Sequence, residues 1–219
     1  MAFVTTVSAI CVLLLPAERV TGQQTNPDPW EPIRFLVGDW EGRAEGQAGN
    51  GTVRRTYAFV LEDRYLHEKN VSTYPPQEAN KTGEVHEHWS FFSYDRGRKT
   101  LVLRQFHQEG FVNQYALNTA ESRRGKLVFD TERFENFDNG WRGRETYEIR
   151  SVDEFVETFE LGAPGKTLQV YSRNHFMRAK RQPRLGGPHV DVRYVTSTQR
   201  VQPRASGAFG FPTRDVAVR

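Results

Sequence analysis

At 219 residues the chain has room for one domain of about 150 residues plus its ends, and a 12 % aromatic content with 18 glycines favours a β-rich body over a helical one. The net charge is +3, but nine Lys/Arg against two Asp fall between Arg178 and Arg219, so the rest of the chain is net negative. That balance argues against a nucleic-acid-binding barrel, which would carry its basic residues on a folded face.

Residues 1–22 read as an export signal: the apolar run Ile10-Cys11-Val12-Leu13-Leu14-Leu15 is too short to span a bilayer, and Val20-Thr21-Gly22 offers small residues for cleavage. The expectation is a secreted or periplasmic protein with no stable membrane insertion after signal removal. The single cysteine, Cys11, lies in this segment, so the mature chain forms no disulfide. Asn-x-Ser/Thr triplets occur at Asn50, Asn70 and Asn80.

Residues 23–29 form a polar linker, and its end carries a helix-start signature: Asp28 as N-cap, Pro29 at the first helical position and Glu31 three residues after the cap. A short capping helix through Phe35 is expected, with Trp30, Ile33 and Phe35 closing one barrel end. Ten strands follow in chain order: 40–46, 53–61, 64–74, 84–94, 100–108, 111–117, 126–137, 141–152, 154–161 and 168–177. The first turn is expected at Asn50-Gly51. Short runs divided by Gly, Pro, Asn and Asp at regular spacing signal an all-β barrel or sandwich. Ten of them in a meander favour a closed antiparallel barrel, since closure removes exposed edges. The barrel domain spans residues 30–178, and the basic residues 179–219, rich in Gly, Pro and Ser, read as a disordered tail. Too few residues separate the first two strands for a helical lid, so loops alone guard the mouth.

Several residues carry possible chemistry. In a strand, residues two apart share a face, so His86 and His88 lie together with Ser90 and Phe92, while Leu101, Leu103, Gln105 and His107 share a face on the next strand. Two histidines at i, i+2 with a third from a neighbouring strand are an acceptable but unspecific zinc or iron geometry, and a polar barrel lining is the plainer reading. On the last strand Tyr171, Arg173, His175 and Met177 fall on one face, and Val170, Ser172, Asn174 and Phe176 on the other. Phase alone leaves open which face is inside. If the first, Tyr171 and Arg173 make a phenol–guanidinium pair suited to a ligand carboxylate, and His175 is placed to ligate a haem iron. Arg104, Asn113, Arg133, Glu145 and Glu157 interrupt strands where they either line a wet cavity or face solvent. Ser90 and Ser93 lack a Gly-x-Ser-x-Gly setting, and the spacing of Glu87 and Glu109 gives no argument for acid–base work, so nothing demands an enzyme.

Gly38-x-Trp40-x-Gly42, with Ala44 and Gly46, resembles the opening of a calycin-superfamily barrel, most closely the nitrobindin-like group that shares the haem-binding barrel of THAP-type proteins. The blocks Tyr74–Glu78, Gly83–Glu87, Arg104–His107 and Gly110–Tyr115 resemble an uncharacterised bacterial branch of such barrels. The resemblance implies a lipocalin-like barrel and, in the nitrobindin-like group, haem b held by a histidine on the final strand and peroxynitrite isomerisation. Matching that strand to Phe176-Met177-Arg178 places Tyr171 or Arg173 at the ligand position, with His175 the only nearby imidazole and Tyr171 an alternative oxygen ligand. The leading expectation is an exported barrel binding a small hydrophobic or amphipathic molecule. In it Tyr171 and Arg173 hold an acidic group, His88 and His107 form a polar lining, and Trp40 is the floor. The alternative is a haem barrel acting on NO or peroxynitrite with His175 as axial ligand. A catalytic metal site of His86, His88 and His107 is the third reading.

Overall fold

A computed structural model describes residues 28–180 apart from Ala79. The expected export signal, most of the linker and nearly all of the tail lie outside these residues. Ten strands form: β1 (Gly38–Gly46), β2 (Gly49–Val60), β3 (Tyr65–Tyr74), β4 (Glu84–Asp95), β5 (Thr100–His107), β6 (Val112–Leu117), β7 (Lys126–Glu135), β8 (Arg142–Ser151), β9 (Glu154–Gly162) and β10 (Gln169–Arg178). Each pairs antiparallel with the next, and β1 also pairs with β10. The sheet is therefore a closed meander with no edge left to template another chain. No helix of the described residues is long and apolar enough to cross a membrane.

Period-two alternation sets the inside of the barrel. In β3, Leu66, Glu68, Asn70, Ser72 and Tyr74 are buried while the residues between them are not. Gly42 of β1 is required by a close approach, because a Cβ there would lie 2.4 Å from the backbone oxygen of His175 on β10. The first hairpin turns earlier than expected. Gly46 pairs with Gly49, leaving Gln47 and Ala48 as the turn, and Asn50 and Gly51 belong to β2. Gly49 makes this possible, with φ +94° and the Gln77 side chain occupying the space a Cβ would need.

The expected helix start is also revised. Glu31–Leu36 forms a single 3-10 segment, and Asp28 does not cap it. The Asp28 carboxylate instead accepts hydrogen bonds from the Trp30 amide and the Arg34 side chain. Ile33 and Leu36 are fully buried against the barrel, each burial contributing about 1.5–3 kcal/mol. Trp40 plugs this end. Its indole Nε1 donates to the Leu36 carbonyl at 2.7 Å, and its ring meets Phe155 edge-on at 4.7 Å. Arg178 seals the same end, its guanidinium 4.2 Å from the Trp40 ring and donating to the Phe35 and Val37 carbonyls.

The last strand carries a β-bulge. Its register against β9 shifts between Val170 and Ser172, so Tyr171 is the extra residue. Tyr171 is thereby buried together with Asn174 and Phe176, while Arg173 and His175 are exposed. The simple alternation that grouped Tyr171 with Arg173 and His175 fails at this one residue. Two of the three Asn-x-Ser/Thr asparagines, Asn70 and Asn80, are buried in the folded barrel.

Candidate functional site

The interior is built in layers from the plugged end. Above Trp40, the Phe155 ring stacks on Phe176 at 4.7 Å, and the Arg55 guanidinium lies 4.6 Å over Phe176. Arg55 is brought inward by β2, in phase with Val53 and Tyr57. Its two terminal nitrogens donate to the two carboxylate oxygens of Glu157 on β9 at 2.5 and 2.6 Å, and its Nε donates to Asn70 Oδ1 at 2.7 Å. Glu68 Oε1 on β3 lies 3.2 Å from the same Nε, and Asn174 Nδ2 donates to Glu157 Oε2 at 2.8 Å. One guanidinium thus holds two carboxylates in a layer that crosses the barrel. Burial opposes the charge on Arg55, but the fields of Glu157 and Glu68 outweigh it and hold its pKa well above the ordinary value. Burial likewise pushes the Glu68 carboxyl up, and Arg55 and His88 more than offset it, leaving it below the ordinary carboxylate range.

Above this layer lies a cavity of about 70 Å³, with Arg55, Glu145, Glu157 and Asn174 beneath it and Tyr74, Phe111 and Tyr171 toward the mouth. Glu145 is the odd member. Burial, reinforced by the charge of Glu157, raises its pKa well above the ordinary value and so favours the protonated acid. Its Oε2 atom and the Asn174 Oδ1 atom are buried without a hydrogen-bond partner.

One wall of the cavity is histidine. β4 brings in His86 and His88, and β5 brings in His107, which is paired across the ladder with His88. The three ring centroids form a near-equilateral triangle with sides of 5.1, 5.5 and 5.5 Å. His86 Nε2 lies 3.4 Å from both His88 Nδ1 and His107 Nδ1. The opposite ring nitrogens are all engaged: His88 Nε2 with Glu68 Oε1 at 3.0 Å, His86 Nδ1 with Glu109 Oε1 at 2.9 Å, and His107 Nε2 with the Asn113 amide at 3.2 Å. Phe111 stacks on the His107 ring at 4.1 Å and fixes its plane. Burial lowers the pKa of His88 despite its bond to Glu68, and lowers that of His107 well below the ordinary value.

The sequence of this chain matches no family model and no curated protein. Its fold is shared. The crystal structure of Rv2717c from M. tuberculosis superposes with a TM-score of 0.51 at 14 % identity, covering 69 % of this chain and 98 % of that one. At that identity the likeness shows a common barrel architecture.

The residues singled out from sequence divide cleanly. His88, His107 and Tyr171 line the cavity, as do Asn113, Glu145 and Glu157. Trp40 does not: the Arg55–Glu157 layer is the floor, and Trp40 lies below it as the plug. Arg173 faces outward, so no Tyr171–Arg173 pair forms. His175 is exposed on the outer wall, its Nε2 2.7 Å from Glu154 of β9. It therefore offers no imidazole to the interior, and the cavity has no room for a macrocycle. The haem group implied by the resemblance does not fit these residues. Arg104 and Arg133 also point away from the interior, Arg104 donating to Gln114 and to Ser93. Sequence reading missed Arg55, Glu68 and Asn70. Their signal was present in Val53-x-Arg55-x-Tyr57 and Leu66-x-Glu68-x-Asn70-x-Ser72-x-Tyr74, where alternation carries polar residues into the core.

Proposed function

We propose that the protein is a ligand-binding barrel of the calycin type that holds a small polar molecule in its interior cavity. The observation that carries this reading is the pair of unpartnered buried polar atoms, Glu145 Oε2 and Asn174 Oδ1, both on residues that line the cavity. A polar group buried without a partner costs about 1–3 kcal/mol, and a ligand that bonds to it recovers that free energy. In its protonated form, which burial favours, Glu145 presents either a hydroxyl donor or a carbonyl acceptor, whereas Asn174 Oδ1 only accepts. A ligand with one donor and one further polar group answers both. The volume of about 70 Å³ favours a molecule of few heavy atoms, because pockets for drug-sized ligands run to roughly 300–1,000 Å³. This narrows the amphipathic ligand expected from sequence toward its polar end. The opening Gly38-x-Trp40-x-Gly42 supports placement near the nitrobindin-like barrels, and the apolar leader before Gln23 supports export. The haem reading has no interior imidazole on the last strand to support it.

The test is a thermal-shift panel on the full chain, using small carboxylates, amides, diols and phosphate beside a long-chain fatty acid and hemin. Stabilisation by small polar compounds, lost in Asn174→Leu, is the expected result. A one-per-chain Soret band with hemin that disappears in His175→Ala, or stabilisation by the fatty acid alone, would overturn the reading.

A further inference from the structure

We infer that His86, His88 and His107 form a binding site for one divalent first-row transition-metal ion of the zinc type, with its open coordination position facing the cavity. Three nitrogens bound at 2.0–2.1 Å in a tetrahedral arrangement lie about 3.3–3.4 Å apart. His86 Nε2 stands 3.4 Å from each of its two neighbours before any ion is present, and all three nitrogens lie within 4.8 Å of one another. Ring triangles of this size also arise in ordinary aromatic packing, so the distances alone do not distinguish a site from a lining.

The outer contacts do. A metal-bound imidazole donates its second ring N–H to an acceptor such as a carboxylate or a carbonyl, which fixes the tautomer and aims the lone pair. Two of the three have a carboxylate in that position, Glu68 for His88 and Glu109 for His86, while His107 Nε2 meets the Asn113 side-chain amide through Nδ2, and rotation of that amide presents Oδ1 as the acceptor. The Glu68 and Glu109 carboxylates accept the N–H of His88 Nε2 and His86 Nδ1. His88 Nδ1 and His86 Nε2 are thereby turned toward each other across 3.4 Å, with His107 Nδ1 at the same distance from His86 Nε2, so the three nitrogens converge on one point. The surroundings suit a cation, because the Glu68 and Glu109 carboxylates stand directly behind His88 and His86.

The inference rests on the cavity reading in one respect only. The fourth coordination position opens into that space, where a ligand carboxylate, hydroxyl or water completes the set. A bound ion would supply an anchor for an anionic or lone-pair donor atom, opposite Glu145 and Asn174.

The experiment uses the full chain, stripped with chelator and titrated with Co²⁺ and then Zn²⁺. A visible d–d band that saturates at one Co²⁺ per chain and is bleached by one equivalent of Zn²⁺ is expected. His175→Gln, on the outer wall, retains it. His86→Ala or His107→Gln weakens binding by more than about a hundredfold, and Glu109→Gln, which alters only the orientation of His86, by about 10–100-fold. The wild-type titration decides the matter even if a histidine variant fails to fold. No saturable band, or a band retained by folded His107→Gln and lost in His175→Gln, overturns the inference. The ligand panel repeated in excess chelator separates the two readings. Small-ligand stabilisation without a Co²⁺ band overturns the metal site and leaves the cavity reading standing. A Co²⁺ band with no small ligand overturns the cavity reading alone.

Discussion

Glu145 and Glu157 are both carboxylic acids in the barrel interior, yet their surroundings assign them opposite tasks. Glu157 carries the charge that Arg55 needs, through two short bonds and a third from Asn174. Glu157→Gln removes that charge while leaving the guanidinium buried, and the expected loss of stability is about 3–5 kcal/mol, measured by urea unfolding. Burial pushes Glu145 toward its protonated form, of which the Gln in Glu145→Gln is a near-isostere. Because its folded pKa is raised, the contribution of Glu145 to stability is complete below the unfolded value of about 4.3 and is lost as pH rises toward the folded value. The Gln variant lacks this loss. Its stability relative to the wild type is expected to be level near pH 4 and to improve by up to about 1.4 kcal/mol per pH unit above that; a gap that does not change with pH would show Glu145 to be ionised in the fold. The histidines were legible in the sequence because His86, His88 and His107 share phase with plainly apolar neighbours such as Phe92 and Leu103. Arg55 and Glu68 were not, because a charge at a buried position is tolerable only with a partner on a distant strand. Glu157 lies 102 positions from Arg55, and no local pattern announces it.

The strands themselves were read with little error, since turn residues and two-residue alternation act locally and survive in any context. The failures lie where a backbone departs from that alternation. One extra residue at Tyr171 turns the phenol inward and leaves Arg173 and His175 outside, so the face assignment that looked attractive for ligand binding breaks at the bulge. The early turn at Gln47-Ala48 depends on Gly49 making room for Gln77, a residue of another loop. Gly42 shows the same dependence across the closing seam. Gly42→Ala drives a methyl group into the His175 carbonyl, and the strands β1 and β10 separate to accommodate it. A cost of about 1–3 kcal/mol is expected, read as a lower urea midpoint and faster amide exchange along β1 and β10. Exchange unchanged along that seam would place the strain elsewhere.

Closure joins the first strand to the last, so one pairing spans nearly the whole described chain and is expected to form last. An all-β barrel that must complete such a distant pairing is expected to refold on the millisecond-to-second scale rather than in microseconds. Trp40 reports it, because burial against Phe155 and Arg178 completes only when β1 meets β10; stopped-flow fluorescence that finishes within the dead time would contradict this order. Ten strands in a meander could be read from sequence because edges must be hidden, whereas the small volume of the interior could not. It follows from how the Arg55 layer and the inward rings fill the space, a sum over all ten strands. The same closure has a practical corollary. Arg178 donates to Phe35 and Val37, and the Ala179 amide donates to the Asp39 carbonyl, so both limits of the barrel meet beside the Trp40 plug. The cavity lies at the opposite rim, by the Gly46–Gly49 turn and Ser172. An anchor, a reporter or a solid support joined through either limit would leave the mouth unobstructed, and a short bridge between the two limits would give a circularly permuted chain with new ends on any far loop.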